Sequence, residues 1–221
     1  VYIEFGDLEK AKKLYMEILE KEPENEEVLH NLLEIFYEIK DIKNVEKYSK
    51  NILNKNSNLY IKSQFNLAYI KNDYTLAKKI LENTALIKNL DENYDKTFFN
   101  QIKNIYEYEV SEQLLKILDV LYNYYGDEAD FIRYYSFMLI EMKEFKRAEY
   151  ILMKEVLENN TGKSMGDMLV DLANVYNQNN EQEKFMNIMK ILETQSIPIS
   201  YNMNKYMILK NNSDKYMILK K

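Results

Sequence analysis

A stretch near the N-terminus, residues 6–23 (GDLEKAKKLYMEILEKEP), constrains the fold more than any other part of the chain. It opens with a Gly-Asp pair and closes at Pro23. Between these ends a small, an aromatic and an apolar residue follow at helical spacing, at Ala11, Tyr15 and Ile18. A helix with one apolar face cannot bury that face by itself, so it has to pack on other helices. This stretch therefore predicts a helix that belongs to a packed helical fold.

The same stretch resembles the second helix of a tetratricopeptide repeat (TPR), which starts at a Gly-Asp turn and stops at a proline. The resemblance implies an all-α fold, a right-handed α-solenoid of antiparallel helix pairs. A repeat frame of about 34 residues then predicts about five to six repeats and a C-terminal capping helix.

Laid along the chain, this frame predicts one domain over residues 1–221. Its repeats are expected at 1–25 (partial), 26–57, 58–94, 95–128, 129–165 and 166–199, followed by a capping helix and tail at 200–221. The third repeat is predicted to have a shortened first helix near residues 60–71, and the fourth rests on helical periodicity alone. The sequence KYMILK occurs at 205–210 and again at 215–220, where we expect the cap and then the tail.

Small residues recur at the positions where the two helices of a pair would cross. Larger side chains would separate backbones that have to approach to about 8–10 Å. These residues are Ala11, Ala77, Ser136, Ala148 and Ala173.

Composition excludes several kinds of site. The net charge is −6 without a visible basic stripe, so nucleic acid is not expected as the partner. No apolar run approaches the roughly 18–20 residues of a membrane helix. Because the chain has no cysteine, it has no disulfide, thiolate nucleophile or cysteine-based zinc site. A cytoplasmic location is predicted. An envelope or secreted location stays open, since the chain starts at Val1 and upstream sequence is expected to have been removed.

Enzymatic patterns fail on their context, and no cofactor or metal is expected. His30 is the sole histidine, so no His-His metal pair can form. Residues 161–164 (TGKS) resemble the end of a P-loop, but the earlier glycine and the preceding strand are missing. A calcium-like run begins at Asp91, but Lys96 and Ile102 replace its essential glycine and glutamate. The chain is predicted not to be an enzyme.

The resemblance also implies where a partner binds, because TPR ligands usually lie along the concave surface of the first helices. The positions carried over to this chain are Glu27, His30, Asn31, Glu34, Tyr37, Arg133, Tyr134, Phe137, Asp171 and Asn174. The acidic N-terminal end of this set favours a basic or amphipathic ligand. Tyr134 and Phe137 would form a binding hot spot if exposed, or would pack against a neighbouring helix if the superhelix curls tightly.

Two functions follow as expectations. The first is a non-enzymatic scaffold that binds a protein or peptide on its concave face. The alternative is the peptide-sensing regulatory domain of a larger bacterial regulator, which an upstream helix-turn-helix would support. The sequence does not specify the oligomeric state, although the edges at Val1 and near Met207 could mediate dimer contacts.

Overall fold

The computed structural model describes residues 8–82, 96–107, 109–158, 165–195, 197–200 and 202–219. These residues form twelve helices and contain no strand, which confirms the all-α prediction. The helices are α1 Leu8–Lys21, α2 Glu26–Glu38, α3 Ile42–Ser49, α4 Asn58–Ile70, α5 Tyr74–Glu82, α6 Lys96–Tyr106, α7 Glu112–Tyr125, α8 Ala129–Glu141, α9 Phe145–Glu158, α10 Met165–Gln178, α11 Gln182–Thr194 and α12 Met203–Leu219. The Gly-Asp pair at residues 6–7 and the P-loop-like residues 161–164 lie outside the described residues, as does the start of the calcium-like run at Asp91.

The helices fall into two compact units, an N-terminal unit (Val1–Glu109) and a C-terminal unit (Val110–Lys221). Within each unit, consecutive helices pack on one another. The first helices of neighbouring pairs also touch, α2 against α4 and α8 against α10. Helices that pack together across a three-residue connection run antiparallel. Both units are therefore built from stacked antiparallel helix pairs, as predicted.

The same turn joins the helices of four pairs, α2–α3, α4–α5, α8–α9 and α10–α11. Its second residue has a left-handed backbone, at Lys40 (φ 56°), Asn72 (φ 58°), Lys143 (φ 61°) and Asn180 (φ 59°). An acidic residue follows each time, and its N–H donates to the carbonyl five residues earlier. These four bonds run from Asp41 to Phe36 (2.8 Å), Asp73 to Ala68 (2.9 Å), Glu144 to Leu139 (2.8 Å) and Glu181 to Tyr176 (2.9 Å). One capping geometry thus recurs through the chain and marks its repeats.

The apolar positions of the predicted helices form the cores. In the N-terminal unit Leu29, Leu32 and Phe36 of α2 pack with Val45 of α3 and Ile52 beyond it, all at most 1% exposed. All five small crossing residues of the sequence pattern are buried as well. Their burial lets the two helices of each pair approach closely.

The irregular helix is not the one that the sequence indicated. The prediction of a short first helix in the third repeat is wrong, because α4 has 13 residues, as many as α2. The short helix is α3, with 8 residues. It ends at Ser49, where an Asn- and Ser-rich run begins, and such side chains compete for backbone hydrogen bonds. The Asn54 side chain accepts from the Asn56 N–H at 3.0 Å, and Ser57 caps the start of α4.

The end helix α12 is fastened to α10. The buried Asp167 carboxylate accepts from the backbone N–H of Asn202 at 2.7 Å and of Ser200 at 3.3 Å. Next to it, Gly166 lies so close to the chain at Pro198 that an added Cβ would sit 2.0 Å from that carbonyl oxygen. The helix is continuous from the first KYMILK copy into the second, as far as Leu219.

Candidate functional site

The first five predicted site residues lie along α2, whose start is fixed by an Asn25 cap on the Val28 N–H. Glu27 is exposed, and His30, Asn31, Glu34 and Tyr37 are half-buried. Glu27 and Asn31 are one helical turn apart, and the Asn31 side chain donates to the Glu27 carbonyl at 3.0 Å. Glu34 and Tyr37 lie on the side of α2 that faces α4 and α6.

A groove of about 560 Å³ opens between α2, α4 and α6 of the N-terminal unit. We call it the A-face groove. Its lining combines two carboxylates, two phenol rings, two amides, one lysine and one apolar side chain. These residues are Glu34, Tyr37, Glu38, Lys40, Tyr69, Ile70, Asn100 and Gln101.

Amide groups on α6 hold the two tyrosines of the A-face groove. Gln101, itself 7% exposed, donates from Nε2 to the Tyr37 hydroxyl. Asn104 donates from Nδ2 to the Tyr69 hydroxyl at 2.8 Å. The hydroxyl of each ring is thereby fixed by a hydrogen bond from α6, a helix other than its own. The groove wall is ordered by contacts within the unit, which lowers the entropy cost of receiving a ligand.

The charges of the groove are partly compensated. Glu34 forms an ion pair with Lys62 of α4 at 3.1 Å, in which the Glu34 side chain remains 42% exposed. Such an exposed pair is worth at most about 1 kcal/mol, so a ligand cation can compete for the carboxylate. Glu38 is exposed at the end of α2. Neither α2 nor α4 carries a basic residue in its last turn, and the C-terminal ends of both helices, where the dipole is negative, contribute residues to the groove.

Sequence reasoning missed the contribution of α4 and α6 to this groove. Tyr69 stands three residues before the left-handed Asn72, as Tyr37 stands three residues before the left-handed Lys40. This shared register could have identified Tyr69 as the counterpart of Tyr37 in the next repeat. The prediction of a shortened first helix in the third repeat placed the frame differently there. Gln101 offered no comparable signal, because its role depends on how α6 packs.

The predicted residues of the fifth repeat lie on α8 of the C-terminal unit. Arg133, Tyr134 and Phe137 are all half-buried, so the two aromatic side chains do not form a fully exposed pair. The adjacent Tyr135 is 3% exposed and donates to the Asp119 carboxylate at 2.6 Å. The Arg147 guanidinium donates to both the Asp119 carboxylate and the Tyr135 hydroxyl. Tyr135, next to Tyr134 on α8, is therefore held in the packing between helices.

The predicted residues of the sixth repeat are engaged within the chain. Asp171 is 5% exposed and accepts from Lys205 of α12 at 2.6 Å. Asn174 is half-buried and accepts from Gln178 at 3.3 Å. Because α12 covers Asp171, this residue holds the end helix and does not line an open surface.

A cluster resembling that of Arg147 occurs one pair later. Lys184 lies four residues after its left-handed turn residue, as Arg147 does, and pairs with Glu149 at 2.8 Å. The Tyr176 hydroxyl donates to the same carboxylate at 2.9 Å. Burial and this carboxylate together raise the pKa of Tyr176 to about 12. These clusters join helices of successive pairs and give the hydroxyls of the buried Tyr135 and Tyr176 a charged hydrogen-bond partner.

The described residues hold no group of three or more His, Cys, Asp or Glu side chains that could bind a metal ion. Among the described helices, none is long and apolar enough to cross a membrane.

Comparisons with known proteins found solved structures of low sequence identity. No family model and no curated protein matches the chain. Among solved structures, it is similar to a tetratricopeptide repeat protein from Parabacteroides merdae, with a TM-score of 0.46 and 15% identity over 96% of this chain and 80% of the other. It is also similar to a thermophilic TPR protein of Thermus thermophilus, with a TM-score of 0.35 and 15% identity over 98% and 93% of the two chains. The repeat organisation itself is established by the helix pairs and recurring turns described above.

Proposed function

We propose that this chain is a TPR-like, non-enzymatic scaffold that binds a basic, amphipathic peptide or protein segment in its A-face groove. The observation that supports this most directly is the composition of the groove. It combines carboxylates for cationic side chains with rings fixed in place for apolar ones.

The electrostatic part of the proposal has two sources. Glu34 and Glu38 offer carboxylates, and the C-terminal ends of α2 and α4 offer partial negative charge. Lys40 and Lys62 offset part of this field, so a ligand must gain from contacts other than charge. Tyr37 and Tyr69 provide such contacts, because a fixed aromatic side chain buries much area at low entropy cost.

The test uses two labelled helical peptides of about 18 residues, one of Leu and Lys and one of Leu and Glu, each with a single apolar face. Fluorescence anisotropy measures their binding to the chain. We expect the Lys peptide to bind and the Glu peptide not to bind. The double variant Glu34→Gln/Glu38→Gln should weaken binding of the Lys peptide by roughly tenfold.

The matched control is Glu24→Gln/Glu26→Gln, which removes the same charge from exposed positions at the start of α2, away from the groove. It should change binding by less than about twofold. Equal weakening by both double variants would mean that overall charge, and not the groove, attracts the peptide. Failure of both peptides to bind would contradict the proposed ligand class.

The alternative function, a peptide-sensing domain of a larger regulator, stays a prediction. It would use the same kind of surface.

A further inference from the structure

Tyr69 of the A-face groove has one face of its ring covered by another ring. It stacks on Tyr74, with the ring centroids 6.0 Å apart and the planes inclined by 28°. The Asn104 side chain donates to the Tyr69 hydroxyl at 2.8 Å, so the ring is held in one orientation. Because Tyr69 also lines the groove, its second face is the surface that a ligand meets there.

Many tyrosines of this chain have a cation of the chain over the ring, and Tyr69 does not. In six described cases a lysine or arginine lies 4.6–6.0 Å from the ring centroid, a distance at which cation and ring attract. These six are Tyr48, Tyr60, Tyr106, Tyr122, Tyr135 and Tyr176. No cation of the described residues lies over Tyr69. The groove thus contains a fixed aromatic face that is open to a cation from a ligand.

We propose that this face of Tyr69 receives an arginine side chain of the bound peptide, and that the A-face groove prefers arginine to lysine. This preference rests on the function proposed above and names the side chain that the groove recognises. A guanidinium is planar and weakly hydrated, so it stacks on an aromatic face, whereas an ammonium is a compact and strongly hydrated charge. Ile70, next to Tyr69 in the lining, offers apolar contact for the arginine stem.

Acceptors for the guanidinium lie in the same groove. Glu38 and Asn100 are exposed in its lining, and neither side chain has a partner among the described residues. Glu34, one helical turn before Glu38, keeps 42% of its side chain exposed beside its pair with Lys62. A guanidinium has five N–H donors in one plane, so it can stack on Tyr69 and still donate to these groups at its edge. An ammonium has no such plane.

The charge balance of the groove also favours arginine. Its two carboxylates, Glu34 and Glu38, are offset by Lys40 in the lining and by Lys62 in the pair with Glu34. Net charge therefore attracts any cation only weakly. Discrimination between cations then depends on stacking and on planar hydrogen bonding, and arginine exceeds lysine in both.

The first test varies the ligand alone. Three labelled peptides have the same length and the same leucine positions, and their cationic residues are lysine, arginine or homoarginine. Homoarginine carries a guanidinium on the lysine stem, so it differs from lysine in the head group and not in the stem. In fluorescence anisotropy with the wild-type chain, the arginine and homoarginine peptides should bind roughly tenfold more tightly than the lysine peptide.

The second test varies the ring. Tyr69→Leu removes it and should reduce the ratio of arginine to lysine affinity to within about twofold. Tyr69→Phe keeps the aromatic face and should keep most of the preference. The matched control, Tyr150→Leu, removes an exposed ring from α9 and should behave like wild type. Circular dichroism melts confirm that each variant is folded.

The outcomes separate this preference from the function on which it rests. Equal binding of all three peptides to the wild-type chain would overturn the preference and leave the proposed function standing. A homoarginine peptide that binds like the lysine peptide would overturn the role of the head group. A preference that survives in Tyr69→Leu would overturn the assignment to Tyr69. Failure of all three peptides to bind would contradict the proposed function as well.

Discussion

Replacing Gly166 by alanine tests how α12 is attached to the repeat array. An added Cβ would lie 2.0 Å from the Pro198 carbonyl oxygen and 2.8 Å from its carbon. A carbon and an oxygen in contact need more than about 3 Å, so the segment around Pro198 has to retreat by about 1 Å. Gly166 is inside α10 and cannot move without disturbing that helix.

The retreat breaks the attachment of α12. In the wild-type chain the Asn202 backbone nitrogen lies 2.7 Å from the Asp167 carboxylate oxygen. A shift of about 1 Å takes this nitrogen past hydrogen-bonding distance. The bond from the Ser200 N–H, at 3.3 Å, is lost with it. Hydrogen bonds to a charged group contribute about 1.5–3 kcal/mol each, and Asp167 is 0% exposed. We expect the attachment of α12 to weaken by about 3 kcal/mol, or on the order of a hundredfold.

Amide hydrogen exchange read by mass spectrometry measures this loss segment by segment. Exchange should accelerate across α12 on the order of a hundredfold and change little in α8 and α9. Asp167→Ala removes the acceptor without the clash and should produce the same pattern. Unchanged exchange of α12 in Gly166→Ala would refute the attachment described here.

Three further predictions concern the turns and the core. Lys143→Gly should raise the free energy of unfolding by roughly 1 kcal/mol in urea titrations, because lysine is strained at φ 61°, whereas Asn72→Gly should gain less because asparagine tolerates this conformation. Ala148→Glu should cost a few kcal/mol through overpacking and charge burial, since Ala148 is 0% exposed, and an unchanged circular dichroism melt would count against the repeat register. Tyr176 has its pKa raised to about 12 in the folded chain against roughly 10 when unfolded, so its contribution to stability is complete below pH 10 and declines as the pH rises through 12. Tyr176→Phe should make alkaline unfolding less steep.

The sequence was informative where short-range periodicity determines the structure. The burial of Ala148 and Ser136 was predicted from helical spacing and from the need for small residues where two helices cross closely. Both residues are 0% exposed. The early end of α3 could not be predicted from periodicity. Ile52 keeps the spacing of a helical core residue, although the chain around it is not helical. Burial of Ile52 at 0% satisfies the core without a helix.

The candidate site was harder to predict because it depends on neighbours distant in sequence. Glu34 and Tyr37 were identified from their position on α2. Their partners Lys62 and Gln101 come from α4 and α6, and no local pattern connects them. Asp171 has the spacing of a surface residue, and only the packing of α12 explains its burial.

Contacts between helices close in chain order have a consequence for mechanical load on the chain. A pull on the C-terminal end of the C-terminal unit would be transmitted first to α12, whose ties run to Asp167 and Asp171 of α10 and to Glu193 of α11. Because repeats contact mainly their immediate neighbours, rupture there need not unfold the pairs behind it. We expect a stretched unit to lengthen in steps, first by release of α12 and then one helix pair at a time.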